Sequence, residues 1–314
     1  MKKVLFYFLC FSALSSIYPQ NISPLSFQQL TDKAAGEFYY PKLSPDGSKV
    51  FFTSVNYNGL WSYDLQSKQV SKVTSDEGAG YCFTFSSDSR SVVYRKNIYN
   101  DNGLRTSQTI IKKDLSSLSE QVLASGAYLS APEVMPDQSV VFTSDDALMS
   151  SKVSGTKSSS ASAVQSVQAP VAQIEHQKIA LYVNGQKKVL SPLGEGNYIW
   201  PSVSPDGSKL LFTKAGKGTF VSDLNGNVIA SLGYANAPKW SPDGKWVIYM
   251  NDKDDGLSVT GSDIFAYSIT SQKAVALTST TESHEMYPEW SADGKKIVFN
   301  TEDGKVFLME LKAE

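Results

Sequence analysis

Few residues of this chain could carry acid–base, nucleophilic or metal chemistry. The sequence has two histidines, His176 and His284, and two cysteines, Cys10 and Cys82. His176 lies in a segment of low complexity, which supports precise geometry poorly. A Ser-His-Asp triad would have to use His284, and no nucleophile motif accompanies that residue. Because these side chains cannot build a zinc-type site, we expect no metal and no other cofactor.

Carboxylates offer a second kind of chemistry. The stretch "NDKDDG" at 251–256 is similar to a calcium loop, but the third position of the pattern is Lys253 and the twelfth is Ser262. A solvated acidic loop is therefore the alternative to a cation site built on Asp252, Asp254 and Asp255. A glycosidase pair of carboxylates also stays open, because its two members come from separate loops.

The composition favours a β-structure with a large core. The chain has 314 residues, 41% of them hydrophobic, and contains 16 Tyr, 15 Phe and 5 Trp. Its net charge of −2 lacks the basic excess of a nucleic-acid-binding protein, so we expect no nucleic-acid partner.

The N-terminus is typical of an export signal. Lys2 and Lys3 precede an apolar run at 4–14, which is too short to span a bilayer. We predict a signal peptide at 1–19 and a mature domain at 20–314, periplasmic or secreted and without a membrane span. Cys82 would then have no disulfide partner, and its apolar neighbours predict a buried, inert thiol.

One phrase, Ser-Pro-Asp-Gly followed by an apolar triplet, recurs along the chain. Its Ser and Pro suit the start of a tight turn and its Gly suits a left-handed last position. The unbroken apolar triplets predict strands that are covered on both faces. Copies lie 37–69 residues apart, about 49 on average, which is the size of a propeller blade. The six copies are centred on Asp46, Asp88, Asp137, Asp206, Asp243 and Asp293.

These repeats predict an all-β, six-bladed β-propeller with four-stranded antiparallel blades. The last copy lacks its fourth strand, and the segment after the export signal parallels the missing piece. We therefore predict that 27–31 pairs with 306–311 and closes the ring, which leaves no open sheet edge. The Ser-rich stretch at 150–168 is interpreted as a low-complexity loop insertion, and Asn184-Gly185 as a hairpin turn.

Copies five and six, "PKWSPDGKWVIYMND…DIFAYSI…ALT" and "YPEWSADGKKIVFNT", resemble the blades of the TolB-like β-propeller family. The resemblance covers roughly residues 26–312 and implies the propeller domain alone. It also implies a location in the bacterial envelope. Related propellers occur in peptidases, but the Gly-x-Ser-x-Gly motif of their hydrolase domain is absent from this sequence.

The predicted fold places all long insertions on one face. They span 95–107, 144–177 and 251–262, and loops on such a face often carry function, although they can also be tolerated decoration. Residues that precede each first strand should ring the mouth of the central channel there, or else pack between blades. The candidates for binding are Glu37, Tyr39, Tyr81, Tyr128, Tyr198, Tyr234, His284 and Glu285.

Two functions follow as hypotheses. The first is a scaffold that binds an envelope protein or peptide through the long-loop face and channel mouth, where tyrosine is a favoured contact residue. The alternative is a carbohydrate-active hydrolase or lyase that uses carboxylates of the channel. Converging acidic groups with perturbed pKa values would favour the enzyme, and an aromatic, amide and hydroxyl lining would favour the scaffold. The sequence leaves the oligomeric state open.

Overall fold

The computed structural model describes residues 22–145, 147–152, 162–163 and 169–313, and these form strands almost throughout. The predicted signal peptide lies outside the described residues. The one helical element within them is a 3₁₀ turn, Val55–Tyr57. This part of the chain therefore contains no helix with the length and apolar character needed to cross a membrane.

The strands are grouped in seven antiparallel blades, numbered here in chain order. A single strand, β1 (Ile22–Gln29), comes first and belongs to the last blade. Blade 1 consists of β2 (Tyr39–Leu43), β3 (Lys49–Thr53), β4 (Leu60–Asp64) and β5 (Val70–Thr74). Blade 2 consists of β6 (Thr84–Phe85), β7 (Ser91–Tyr99), β8 (Arg105–Asp114) and β9 (Glu120–Gly126). Blade 3 consists of β10 (Glu133–Val134), β11 (Ser139–Ser144), β12 (Ala147–Lys152) and β13 (Ser162–Ala163). Blade 4 is β14 (Val171–Glu175), β15 (Lys178–Val183), β16 (Gln186–Leu190). Blade 5 consists of β17 (Tyr198–Val203), β18 (Lys209–Lys214), β19 (Gly218–Asp223) and β20 (Val228–Gly233). Blade 6 consists of β21 (Asn236–Trp240), β22 (Trp246–Asp254), β23 (Val259–Ser268) and β24 (Lys273–Ala276). Blade 7 consists of β25 (Glu285–Trp290), β26 (Lys296–Thr301) and β27 (Val306–Ala313), together with β1.

The all-β propeller with antiparallel blades is confirmed, and the predicted number of six blades is wrong. Among the described residues, seven apolar clusters each join two consecutive blades, and the last joins blade 7 to blade 1. The seventh sheet lies in the 69-residue interval between Asp137 and Asp206, which the sequence analysis assigned to one blade with a long insertion. The described part of the Ser-rich stretch belongs to β12 and β13.

The repeated phrase did not reveal blade 4, because this blade has no equivalent of the first strand, after which the phrase occurs in the other blades. Its first turn contains His176 and Gln177, both left-handed, and its second is the predicted Asn184-Gly185 hairpin. The carbonyl of Gln177 accepts a hydrogen bond from the backbone N–H of Tyr198, which begins the first strand of blade 5. The first turn of blade 4 thus lies on the face where other first strands begin. Strand β14 consequently has the direction that the second strand has in the other blades.

The predicted closure of the ring is confirmed. Strand β1 pairs with β27, and Phe27 lies opposite Met309. Beyond the strand, the backbone N–H of Leu30 donates to the carbonyl of Val306 at 2.8 Å. The hydroxyl of Thr31 in turn accepts the N–H of Val306 at 3.0 Å. The chain's first described strand therefore completes the blade formed by its last.

The repeated phrase forms the turn between the first and second strands, as predicted. The Ser44 hydroxyl donates to Asp46 Oδ1 at 2.6 Å and accepts the N–H of Lys49 at 3.0 Å. Gly47 has a φ of 68°, which the turn requires and glycine adopts at little cost. The third copy differs, since Met135 replaces the serine and Gln138 takes the left-handed position.

The apolar triplets form the core between blades. Val50, Phe51 and Phe52 are all buried: Val50 and Phe52 face blade 7, and Phe51 faces blade 2. A strand covered on both faces explains why these runs do not alternate with polar residues.

Candidate functional site

The first strands of six blades surround a central cavity of about 590 Å³. These strands are β2, β6, β10, β17, β21 and β25, and no residue of blade 4 lines the cavity. Each first strand precedes a copy of the repeated turn, so the position of a residue can be counted back from the Asp of its copy. This count sorts most of the lining into three rings.

The outer ring lies six positions before each Asp. Its backbone is unusual, because five of its six residues have φ between 47° and 53°, a region that bulky L-residues avoid. In four of the strands this residue and the next one form a β-bulge opposite a single residue of the second strand. The ring consists of Tyr40, Cys82, Ala131, Trp200, Ala237 and Tyr287, of which Ala131 alone is not left-handed.

The middle ring lies five positions before each Asp, and proline fills five of its six places. A bulge suits proline, because the residue there does not need to donate a ladder hydrogen bond. The rings of these prolines make a wall that offers no backbone N–H to a ligand. The ring consists of Pro41, Phe83, Pro132, Pro201, Pro238 and Pro288.

The inner ring lies four positions before each Asp and carries the charges of the cavity. Lys239 and Glu289, from blades 6 and 7, form an ion pair of 3.3 Å. The Glu133 carboxylate accepts a hydrogen bond from Gln173 of blade 4 at 2.7 Å. The Lys42 ammonium donates to the carbonyl of Phe83 at 3.0 Å and lies 5.5 Å from the centre of that ring. The ring is completed by Thr84 and Ser202.

The enclosing protein and these charges shift the pKa values of Glu133, Lys239 and Glu289. Burial raises the pKa of Glu133 to about 7, against the lowering effect of the Gln173 hydrogen bond and of Lys42. Burial also acts to raise the pKa of Glu289, but the attraction of Lys239 and Lys42 outweighs it and the pKa is lowered. Glu289 raises the pKa of Lys239. Both Glu133 and Lys239 nevertheless reach the water of the cavity, since Glu133 is exposed and 43% of the Lys239 side chain is accessible.

Four tyrosine rings in contact cover one side of the cavity entrance, and we call them the aromatic mouth. They belong to Tyr40, Tyr57, Tyr81 and Tyr287. The ring of Tyr40 lies 4.2 Å from that of Tyr287 and stacks on Tyr57 at 4.7 Å. Tyr57 meets Tyr81 edge-on at 5.2 Å, and burial together with its tyrosine neighbours raises the pKa of Tyr40. Trp200 of blade 5, which is 41% exposed, also lines the cavity.

Backbone and side-chain contacts hold this mouth in place. The backbone N–H of Tyr40 donates to Asn300 Oδ1 of blade 7 at 3.0 Å, which fixes its left-handed peptide. The guanidinium of Arg95 lies 5.0 Å from the centre of the Tyr81 ring and donates to the carbonyl of Leu129. Residues of neighbouring blades therefore hold these rings in position.

The eight predicted binding residues lie seven to nine positions before the Asp of their copies, and the structure separates them by position. Of the eight, Tyr81 lines the cavity. Tyr198 and Glu285 are 1% and 3% exposed and pack inside the blades. Glu285 accepts hydrogen bonds from Thr280 and Ser283 there. The others lie at or near the rim, with their role as binding residues still a prediction: Glu37, Tyr39, Tyr128, Tyr234 and His284.

Apart from Tyr81, the sequence reasoning missed the residues that line the cavity. Tyr40, Trp200 and Tyr287 share one position in the repeat, as do Lys42, Glu133, Lys239 and Glu289 in another. Aligning the six copies on their Asp would have shown both rings. The prediction took residues that precede each first strand, whereas most lining residues lie within the first strands, at and next to the bulges, or directly before β6 and β10.

The structure contradicts the expectation for Cys82 and gives the arrangement of the acidic stretch. Cys82 was predicted to be buried, but it is exposed and lines the cavity, because it lies before β6 in a left-handed backbone conformation and not in the apolar strand. The acidic stretch at 251–256 belongs to a long hairpin, in which Asp255 accepts backbone N–H groups of the turn. Among the described residues, no three His, Cys, Asp or Glu side chains converge as metal ligands.

The geometry defines a class of protein: a β-propeller with a ligand-sized central cavity. Comparison with solved structures agrees with the fold. An oligogalacturonate lyase in complex with manganese aligns over 91% of this chain and 80% of its own, with a TM-score of 0.50 and 15% identity. At this identity the likeness concerns the fold alone.

Two further solved structures align with lower scores. They are an oligogalacturonate lyase from Vibrio parahaemolyticus, with a TM-score of 0.49 and 13% identity over 90% of this chain and 79% of its own, and TolB from Acinetobacter baumannii, with 0.48 and 20% over 77% and 54%.

Sequence comparison gives a short match. Dipeptidyl-peptidase 5 of Porphyromonas gingivalis is 32% identical over 76 residues, which are 23% of this chain. The match spans about a tenth of that relative's length, 11%. No protein-family profile matches the chain.

Proposed function

We propose that this chain is an exported, TolB-like propeller of the bacterial periplasm or envelope that binds a peptide, or an extended segment of a protein. The binding site is the aromatic mouth and the cavity behind it. The observation that carries the proposal is the aromatic mouth itself, with four tyrosine rings in contact and Trp200 exposed at the same cavity. Rigid aromatic side chains give large contact areas at a small entropic cost, and they dominate binding energies.

The proline wall supports a peptide over a sugar. A sugar carries many hydroxyl groups, and each loses its bonds to water when it enters a site without partners. The middle ring offers no N–H from its five prolines, and the polar side chains of the inner ring are largely engaged with each other or with neighbouring groups. Apolar side chains of a peptide would instead gain from contact with this wall.

A carbohydrate-active hydrolase or lyase is the second candidate, and one observation favours it. Glu133 and Glu289 both line the cavity, and the pKa of Glu133 is raised to about 7, as a general acid requires. Glu289 is held by Lys239, however, and Glu133 by Gln173. Incubation with oligogalacturonate and other acidic oligosaccharides, followed by chromatography of the products, tests this candidate; Glu133→Gln must abolish any activity found.

Peptide capture tests the leading proposal. The purified domain is immobilised and incubated with a pool of random hexapeptides, and the retained peptides are measured by mass spectrometry. We expect Trp200→Ala and Tyr287→Ala to lower retention by about tenfold or more, because each removes a contact residue of the kind that carries binding energy. Tyr99→Ala is the matched control, since Tyr99 is similarly exposed but lies away from the cavity. Equal retention by all variants would exclude the mouth as the binding site.

A further inference from the structure

The charges of the inner ring suggest which part of a peptide enters the cavity, an inference that rests on the function proposed above. Three of the four charged side chains already have a polar side-chain partner: Lys239 pairs with Glu289, and Glu133 accepts from Gln173. Lys42 differs from them. Among the described residues no carboxylate lies within 4.0 Å of its ammonium, whose recorded hydrogen bond goes to a backbone carbonyl.

An ammonium has three N–H donors, so Lys42 keeps two of them after donating to the carbonyl of Phe83. The side chain is half-buried and lines the cavity, and the ring of Phe83 supports it from one side. A cation held in this way is a preorganised partner for an anion. Hydrogen bonds between charged groups are among the stronger polar contacts of proteins, particularly where solvent is partly excluded.

The balance of charge in the inner ring agrees with an anionic guest. The ion pair of Lys239 and Glu289 contributes no net charge, and the raised pKa of Glu133 leaves that carboxyl part-neutral near pH 7. Lys42 therefore supplies the excess charge of the cavity. An amine guest would meet this positive charge, and Glu289 is already paired with Lys239.

We propose that the cavity binds a peptide by its C-terminal end, with the terminal carboxylate on Lys42, the preceding side chains against the proline wall, and the chain leaving through the aromatic mouth. The prolines lie between the inner ring, which carries the charges, and the outer ring, which carries Tyr40, Trp200 and Tyr287; at β6 and its approach Phe83 takes the place of a proline. The order charge, apolar wall, aromatic rim matches the order of groups along a peptide end.

A competition experiment tests this assignment. The immobilised domain receives an equimolar mixture of random hexapeptides with free C-terminal carboxylates and the same pool with C-terminal amides. We expect the free acids to be enriched about tenfold, as for the loss of one hydrogen bond to a charged group. Lys42→Met should remove this enrichment, and Lys42→Arg should restore most of it. Lys112→Met is the control, since Lys112 is also a half-buried strand lysine but lies outside the cavity.

The outcomes separate this proposal from the one on which it rests. Equal retention of acids and amides by the unaltered domain would overturn the carboxylate assignment and leave peptide binding intact. Retention of neither pool would overturn both, as would binding of galacturonate oligomers in the absence of peptide binding. Because the comparison of acids with amides uses the unaltered domain, it stands even if Lys42→Met fails to fold.

Discussion

Lys239 and Glu289 reach into the central cavity from adjacent blades and form an ion pair of 3.3 Å. The pair ties blade 6 to blade 7 at the central cavity, in addition to the apolar cluster between these two blades. Its two members occupy the same position in their repeats, so the pair depends on the two first strands keeping the same height along the cavity.

Removing one member of this pair should lower stability. We expect Lys239→Met to cost about 1 kcal/mol near pH 7, because Glu289 loses its closest counter-charge while the water of the cavity limits the effect. The free energy of unfolding from urea titration measures this cost. The double variant Lys239→Met/Glu289→Gln should recover part of it, and a double variant with the summed losses would show that the two residues do not interact.

Glu133 should make stability depend on pH in a direction that is unusual for a carboxyl group. Its pKa is raised in the folded state to about 7, so the folded protein holds this proton more tightly than the unfolded chain. Its contribution to stability is therefore fully present below the unfolded pKa of about 4.3 and is lost as pH rises towards about 7. In Glu133→Gln this loss should be absent. Melting temperatures of both proteins across this range measure the difference, which should grow with pH; a constant difference would contradict the raised pKa.

The same titration should affect binding of a free-acid peptide. Lys239 stays charged from about pH 8 to pH 6 because its pKa is raised, and Glu289 stays ionised because its pKa is lowered. The peptide carboxylate titrates far below this range, at about pH 3.5. Glu133 gains a proton as the pH falls through about 7 and stops repelling the guest. Affinity should rise severalfold as pH falls in the unaltered domain and stay level in Glu133→Gln. Fluorescence anisotropy of a retained peptide provides the measurement, and a parallel rise for its amide would argue against an electrostatic cause.

Because the ring closes through the first strand, Leu30 should contribute strongly to the stability of the folded protein. Leu30 is buried among Phe38 and Val306, in the cluster that joins blade 1 to blade 7. Leu30→Ala should cost about 3 kcal/mol, as for other buried leucines. Leu25→Ala, on the exposed face of β1, should cost less than about 0.5 kcal/mol. Similar losses for both variants in chemical denaturation would show that the closing strand is not held by its core contacts.

The left-handed outer ring predicts opposite effects for two similar substitutions. Ala237 has a φ of 47°, so Ala237→Gly should relieve strain and stabilise the protein by up to about 1 kcal/mol. Ala131 occupies the same position in its copy without this conformation, and Ala131→Gly should destabilise by about 0.5–1 kcal/mol. A shift of both melting temperatures in one direction would contradict the account.

The sequence by itself determined the local chemistry of the blades. Ser44, Asp46 and Gly47 specify a turn by contacts within a few residues, and this turn recurs wherever the phrase recurs. The apolar triplet at Val50 signals a strand covered on both faces because burial leaves no polar side. The likeness between the segment after the export signal and the strand missing from the last blade predicted the closure of the ring. The first two inferences rest on short-range geometry and on burial, and the third rests on the repetition of the sequence.

The tertiary structure alone decided the number of blades and the members of the site. Blade 4 lacks the first strand that the phrase accompanies, so only its packing between blades 3 and 5 shows that it is a blade. The bulges at Tyr40 and Trp200 turn different side chains into the cavity than a regular strand would, since one extra residue changes which positions face inwards. Lys42, Glu133, Lys239 and Glu289 are far apart in the chain, and they meet because a closed ring brings the same position of every first strand to one central cavity.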